Sequence, residues 1–221
     1  MGYLEITGRS VAWLFRAGLV FVCIAKVYYA DYLAAILFLL AFGLSMMPVL
    51  LNQLYDTKLP WALDLIVAYM LFAHMSGFLL LYDVWPFWDD IGHTIGSMAI
   101  TVIGFFIVYV YDYTSRIKVT KGMMMLFAVL WTMALGGVWE IIEFIWDFIV
   151  SASGIVTATG QYGFAQNGLF DTMTDLTIDL VGSLVAATGC LFFVRHAKKR
   201  TIEHIVAPVA KILGKKKPPH D

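Results

Sequence analysis

Residues 122–150 read GMMMLFAVLWTMALGGVWEIIEFIWDFIV, an apolar run long enough to cross a membrane that carries Glu140 and Glu143 toward its end. A helix needs about 20 mostly apolar residues to span the hydrocarbon core. An ionisable side chain inside such a helix costs roughly 2.5–3.5 kcal/mol on insertion scales. The segment therefore predicts a transmembrane helix whose carboxylates face the protein interior or a wet cavity.

The composition of the chain extends this prediction to nearly its full length. Of the 221 residues, 61% are hydrophobic and 14% are charged, whereas soluble domains carry about 25% charged residues. The two cysteines, Cys23 and Cys190, both lie in apolar runs and indicate neither a disulfide framework nor a thiolate metal site. We expect an integral membrane protein without a separate soluble domain and without a nucleic-acid partner.

Five further apolar runs bring the number of predicted spans to six. Polar, basic or glycine-containing linkers separate them, among them 52–60, 112–121 and 151–170. The sequence thus predicts an all-α polytopic membrane protein with a six-helix transmembrane domain at 1–194 and a basic cytoplasmic tail at 195–221. The predicted spans cover residues 10–28, 31–51, 61–82, 88–111, 122–150 and 171–194.

Basic residues orient the predicted spans. All of them except Arg16 and Lys26 fall on one side, and the opposite linker 151–170 contains none. The positive-inside rule makes the basic side cytoplasmic, so both termini are expected inside the cell, in a multi-pass protein of the cytoplasmic (inner) membrane. Arg16 is expected to snorkel to the inner surface and Lys26 to the outer one. Asp64, near the inner end of its span, is expected to be solvated or paired with Lys58.

The tail contains apolar residues at helical spacing between lysines. Residues 201–213 repeat them every three or four positions, although Pro208 weakens the pattern. This predicts either an interfacial amphipathic helix on the anionic inner leaflet or a partly disordered basic tail. Residues 215–221 are expected to be disordered.

Ionisable residues of spans three to six fall at one depth when this orientation is applied. At about 1.5 Å of rise per residue, they lie about 6–15 Å below the outer surface. Within the last three helices they recur every three or four residues and therefore share one face. We expect one cavity in the outer half of the membrane. The predicted site residues are Asp89, His93, Glu140, Glu143, Asp171, Asp175 and Asp179.

Plainer interpretations compete for several of the acidic and histidine residues. Asp89 and Asp171 open helices, where Asp is a preferred N-cap. His74, alone on an apolar helix, fits a hydrogen-bonded core histidine, and Asp147 lies near enough to the surface to be solvated. The pairs on spans five and six are the deepest and the hardest to explain in these ways.

The cluster predicts cation chemistry or shared protons. Adjacent carboxylates in a medium of low dielectric constant cannot all be ionised unless a cation is bound, so either some are protonated or a metal is present. Oxygen-rich ligands with an imidazole suit Mg²⁺, Mn²⁺, Ca²⁺ or non-haem iron, and Zn²⁺ is less typical. The Glu-x-x-His pairs of di-metal helix bundles are missing here.

Three short motifs occur in a fixed order along the chain. They are Asp89-x-x-x-His93, Trp139-Glu140-x-x-Glu143-Phe144 and Asp171-x-x-x-Asp175 followed by Gly182. In this order they resemble the uncharacterised inner-membrane proteins of the YjdF type, over about residues 60–194. The resemblance implies a membrane protein but no known reaction.

A looser similarity is to VanZ-like membrane proteins, whose motifs fall at Asp89/His93, Glu140/Glu143 and Asp175/Asp179/Gly182. Asp90 stands where both groups usually have Lys or Arg, and Glu143 and Asp179 replace amides of the VanZ-like pattern. The site here is thus more acidic, which favours cation binding. VanZ-like proteins are linked to glycopeptide resistance and the cell envelope, which implies an outward-facing role.

Three functions remain open from the sequence. The favoured one is a metal-assisted hydrolase or transferase in which Glu140 or Glu143 acts as general base. Its substrate would be an envelope lipid or a lipid-linked compound at the outer leaflet. The others are a cation or proton transporter, and a structural or partner-binding membrane subunit whose acids form a buried network.

The topology is tested by the side from which an introduced cysteine reacts. After Cys23 and Cys190 are replaced by Ala, Ser153→Cys should react with a membrane-impermeant thiol reagent on intact cells, because 151–170 is expected outside. Lys118→Cys should react only after permeabilisation. Labelling of Ser153→Cys only in permeabilised cells would rule the orientation out.

Overall fold

The computed structural model describes residues 2–77, 85, 87–114, 116–153 and 168–213, the side chains of 150–153 excepted. Over these residues the chain forms eight α-helices and no strand. In chain order they are α1 (Tyr3–Tyr28), α2 (Tyr32–Ser45), α3 (Met47–Leu54), α4 (Trp61–Ser76), α5 (Trp88–Tyr113), α6 (Lys121–Ser153), α7 (Leu169–His196) and α8 (Lys199–Ile212). The prediction of an all-α protein is confirmed.

Four to five helices or helix pairs are candidate membrane spans. α1, α5, α6 and α7 are each long and apolar enough to cross a membrane, and α2 with α3 makes a fifth candidate. The apolar helix α4 has only 16 residues, and residues 78–82 of the predicted third span lie outside the described residues. Six spans and cytoplasmic termini therefore stay predictions.

The chain forms two compact units. One contains Met1–Phe78, Tyr113–Arg116 and Lys198–Asp221, and the other contains Leu79–Asp112 and Ile117–Ala197. The first unit therefore includes α1–α4 and α8, and the second includes α5–α7. All seven predicted site residues belong to the second unit.

In the first unit, α1 packs against α2 and α4. Glycine and aromatic side chains make the contact with α4. The Phe15 ring lies 5.4 Å from the Tyr69 ring and 5.2 Å from the Phe72 ring, centroid to centroid. Phe72 also lies over Gly18, at the place that a larger residue would occupy. Small residues let apolar helices approach closely in this way, so that dispersion contacts hold them together.

The predicted second span is broken rather than continuous. α2 ends at Ser45, α3 begins at Met47, and the chain bends by about 40° between them. Pro48 explains the break, because it lies in the first turn of α3. A proline is tolerated there, whereas inside a continuous helix its ring would clash with the carbonyl group four residues earlier.

The break supplies an acceptor for a buried arginine. Arg16 donates from Nε and Nη2 to the carbonyl oxygen of Ser45, at 3.2 and 2.7 Å, and from Nη2 to Asp64 Oδ1 at 2.5 Å. Arg16 is 0% exposed and Asp64 is 2% exposed. The expectations that Arg16 snorkels and that Asp64 is solvated or paired with Lys58 are wrong, because the two residues neutralise each other inside the unit.

The turn between α1 and α2 contains a second ion pair. Asp31 caps α2 by accepting from the Ala34 N–H at 3.3 Å, and it also accepts from Lys26 Nζ at 2.9 Å. Lys26, which was expected to snorkel to the outer surface, thus pairs with the acid that begins the next helix.

The tail helix is present, and part of its apolar stripe is buried in the protein, while the rest is half-buried. Ile202, Val206 and Ala210 of α8 are buried. Lys211 donates to the backbone oxygen of Asp56 and, at 3.3 Å, to its carboxylate. The expected insertion of this stripe into the lipid interface is therefore wrong at these positions. The segment 215–221, expected to be disordered, lies outside the described residues.

The buried ion pair of the first unit should make single substitutions costly. Asp64→Leu leaves the Arg16 charge buried without its partner and should lower the free energy of unfolding by about 3–5 kcal/mol, whereas Arg16→Met with Asp64→Leu should recover most of the loss. The free energies of unfolding of the single and the double variant are measured in mixed micelles.

Lys26→Met is the matched control, since it removes a more exposed pair that should contribute less than about 1 kcal/mol. Equal losses for Asp64→Leu and Lys26→Met would show that the Arg16–Asp64 pair does not hold the unit together.

Candidate functional site

Helices α5, α6 and α7 position the candidate site, and glycines set two of their contacts. A methyl group on Gly182 of α7 would collide with Ser97 Oγ and would lie 3.4 Å from the carbonyl oxygen of Thr94, both on α5. A methyl group on Gly136 of α6 would collide with Oδ2 of Asp179. The absence of a side chain at these two positions lets the polar faces of the helices come together.

His93 links acids of the two neighbouring helices. Its Nδ1 atom lies 3.3 Å from Asp179 Oδ1 on α7, and its Nε2 atom lies 4.0 Å from Glu140 Oε1 on α6. All three side chains are buried. A carboxylate therefore lies near each of the two ring nitrogens of His93.

Asp89, His93 and Asp175 form a tight group. One ligand atom from each lies within 4.8 Å of the other two. His93 and Asp175 are buried, and Asp89 is half-buried. Since an ion held about 2.0–2.6 Å from each ligand keeps two ligand atoms no more than about 4–5 Å apart, the donor set fits a single cation.

Glu143 is held by a neighbour on its own helix. Trp139 Nε1 donates to Glu143 Oε1 at 2.7 Å, across the i,i+4 spacing. Tryptophans of membrane spans are common at the membrane–water interface, and this one also contacts a buried acid. The signal that could have revealed the contact is the four-residue spacing on one helix face.

All seven predicted site residues belong to one electrostatic cluster. Beyond the contacts above, Glu143 lies within electrostatic range of Glu140, Asp89 and His93. Asp175 lies within range of Asp171 as well as of Glu140 and Asp89. Two like charges 4 Å apart repel by about 4 kcal/mol at an effective dielectric constant near 20. Full ionisation of this cluster would therefore be costly unless positive charge compensates it.

The capping interpretation of two acids is wrong. α5 begins at Trp88, so Asp89 lies inside its first turn, and the N-cap of α7 is Gly168, so Asp171 lies inside that first turn. Negative charge is favourable in the first turn of a helix, but neither side chain is the cap. His74 lies on α4 of the first unit, outside the unit that carries the cluster.

Buried hydroxyl groups continue the polar face of α5 beyond the cluster. Ser97 and Thr101 follow His93 at four-residue steps, and the Thr101 hydroxyl lies 2.7 Å from that of Thr132 on α6. Thr101 also donates to the carbonyl oxygen of Ser97 at 2.7 Å. The sequence interpretation missed these residues, although the repeat 89, 93, 97, 101 extends the acidic stripe.

Comparison with known proteins places the chain among membrane proteins without a known activity. The family described as "Predicted membrane protein (DUF2238)" matches residues 9–197, which include all seven predicted site residues. An uncharacterised protein of Thermotoga maritima is 32% identical over 142 residues, 63% of this chain and 67% of the relative. No solved structure matches the chain.

The contact at Gly182 should be sensitive to a single methyl group. Gly182→Ala should lower the free energy of unfolding by about 1–3 kcal/mol, because overpacking pushes α7 away from α5. Gly189→Ala on the same helix is the control: a methyl group there meets nothing within 4 Å, so the higher helix propensity of Ala should leave stability unchanged or raised.

Adding Ser97→Ala to Gly182→Ala should restore part of the loss, since Ser97 Oγ is the nearest atom to the new methyl group. Thermal unfolding in detergent measures all three. If Gly182→Ala behaves as Gly189→Ala does, the close approach of α5 and α7 is contradicted.

Proposed function

We propose that this chain, which belongs to the DUF2238 family of predicted membrane proteins, binds a divalent cation through Asp89, His93 and Asp175. The observation that supports the proposal is the 4.8 Å limit on the distances among their ligand atoms. Two carboxylates and one imidazole suit Mg²⁺, Mn²⁺, Ca²⁺ or Fe²⁺, with Zn²⁺ less typical of so oxygen-rich a set.

The surrounding acids supply a reason for the cation to bind. Glu140, Glu143, Asp171 and Asp179 complete a cluster of mostly buried carboxylates, and the Coulomb repulsion among them falls when a dication is added. Protonation of one or two acids would relieve the same repulsion. The two outcomes differ in whether stability depends on added metal.

The reaction proposed for the site is hydrolysis or group transfer on an envelope lipid or a lipid-linked compound. A divalent cation, when bound, supplies Lewis-acid chemistry. Glu140, with Oε1 at 4.0 Å from His93 Nε2, is the proposed general base that accepts a proton from the attacking nucleophile. Glu143, oriented by Trp139, is the second candidate for that role.

The location of the site belongs to the same proposal. Six spans with cytoplasmic termini would put the cluster in the outer half of the cytoplasmic membrane, where a lipid substrate arrives by lateral diffusion. The resemblance to YjdF-type proteins, and the looser one to VanZ-like proteins, supports such an outward-facing role in the cell envelope.

A cation or proton transporter is the second candidate, and the buried hydroxyl groups favour it. Ser97, Thr101 and Thr132 lead away from the cluster between α5 and α6. However, Ser97 and Thr132 also contact carbonyl oxygens of their own helices, at 3.1 and 3.0 Å. Such bonds equally serve helix packing, as a purely structural or partner-binding subunit would require.

Metal binding should appear as metal-dependent stability. After chelation, adding Mn²⁺, Mg²⁺, Ca²⁺ or Zn²⁺ to the protein in detergent should raise its Tm, since a ligand at 100 times its Kd stabilises by about 2.7 kcal/mol. Asp89→Asn with Asp175→Asn should abolish the gain. Asp90→Asn, one position along α5 and outside the tight group, is the control and should keep it.

The same melting experiments, together with a transport assay, distinguish the metal proposal from its alternatives. If no divalent ion stabilises the wild type and the double variant melts higher than the wild type without metal, the acids only repel one another and the metal proposal fails. Transport is measured with vesicles that contain the protein and a trapped dye quenched by Mn²⁺. If Mn²⁺ enters these vesicles and Asp175→Asn stops the entry, the proposed function is transport rather than hydrolysis or group transfer.

A further inference from the structure

Asp179 differs from the other acids of the cluster in how both of its oxygen atoms are placed. Oδ1 lies 3.3 Å from His93 Nδ1. Oδ2 lies against the backbone of α6 at Gly136, where a methyl group would collide with it. The side chain is buried. The carboxylate is therefore held between an imidazole ring and a helix backbone, and Asp179 is outside the tight group of Asp89, His93 and Asp175.

We propose that Asp179 is a positioning residue for His93 rather than a cation ligand, and that Gly136 creates the space that this role requires. The inference rests on the proposed cation site and corrects one member of the ligand set expected from sequence. When Nδ1–H donates to Asp179, the tautomer of His93 is fixed and the Nε2 lone pair is left for the cation. Metal-ligating histidines usually make such a second hydrogen bond to a carboxylate or carbonyl.

The arrangement bears on which cation the site prefers. A carboxylate on Nδ1 makes the opposite nitrogen a better donor. Ions that bind imidazole well, such as Zn²⁺ and Fe²⁺, gain from it, whereas Ca²⁺, Mg²⁺ and Mn²⁺ depend mainly on the oxygen ligands. Asp179 and Gly136 would thus set cation preference without contacting the ion.

Adjacent glycines on α6 provide a matched pair of variants. Gly136→Ala puts a methyl group where Asp179 Oδ2 lies, whereas Gly137→Ala puts one where nothing lies within 4 Å. Gly136→Ala should weaken Zn²⁺ binding about 10–100-fold, the usual loss when such a hydrogen-bonding partner is removed. It should change Ca²⁺ binding far less, and Gly137→Ala should bind both ions as the wild type does.

Two substitutions at position 179 complete the test. Asp179→Asn keeps an oxygen that can accept from His93 Nδ1–H but loses the charge, and it should lose less Zn²⁺ affinity than Asp179→Leu. Asp179→Leu keeps the number and branching of the side-chain heavy atoms, removes the acceptor and should reproduce the loss seen with Gly136→Ala. If Gly136→Ala does not fold, Asp179→Leu takes its place in the comparison with the wild type.

A second measurement does not need the metal. Nitrogen NMR of ¹⁵N-histidine-labelled, metal-free protein reports which ring nitrogen is protonated, and the signal of His93 among the five histidines is identified by its absence in His93→Gln. The wild type and Gly137→Ala should show one Nδ1–H tautomer. Gly136→Ala and Asp179→Leu should show a mixture.

The outcomes separate this inference from the proposed function. If the wild type binds no divalent ion while Gly136→Ala still changes the His93 signal, the cation site fails and the positioning of His93 stands. If Gly136→Ala matches Gly137→Ala in both measurements, the positioning role is overturned. It is also overturned if Gly136→Ala and Asp179→Leu lose Ca²⁺ and Zn²⁺ equally with the His93 signal unchanged, because Asp179 would then act as a direct ligand.

Discussion

A carboxylate inside an apolar helix bundle must be neutralised, and this requirement organises both units of the protein. The cost of leaving such a charge alone exceeds what an ordinary packing contact can offset, so each buried acid needs a proton, a cation or a basic partner. The second unit gathers six carboxylates around one imidazole, His93. Among the described residues of this cluster, one ring faces six acids, and this ratio distinguishes the cluster from the one-to-one ion pair of the first unit.

The first unit satisfies the same requirement with a single buried ion pair. Asp64 accepts from Arg16 Nη2, and the guanidinium also donates from Nε and Nη2 to the carbonyl oxygen that the break after Ser45 leaves available. Charge is balanced one to one within the side chains themselves. Because no excess charge remains there, the pair explains how a bent helix is stabilised and gives no reason to expect a bound ion.

Periodicity and length could predict the helices, and the depth of the acids could predict which of them cluster. Glu140 and Glu143 recur at a helical interval within an apolar run, and only an inward-facing surface accommodates that pattern. The pairing of Arg16 with Asp64 could not be predicted, since the residues are 48 positions apart and no local spacing connects them. The break before Pro48 was detectable in principle, because proline inside a predicted span is a known local signal.

The finer geometry depends on residues that have no functional group. Gly136 and Gly182 contribute no ligand, proton or charge, yet each occupies a place where a methyl group would displace a polar atom of a neighbouring helix. The sequence shows both glycines, but it cannot show which of two adjacent glycines faces Asp179, because that depends on the rotation of α6 about its axis. A polar stripe on a helix therefore predicts which chemical groups a membrane site contains, while the small residues opposite it determine the distances at which those groups meet.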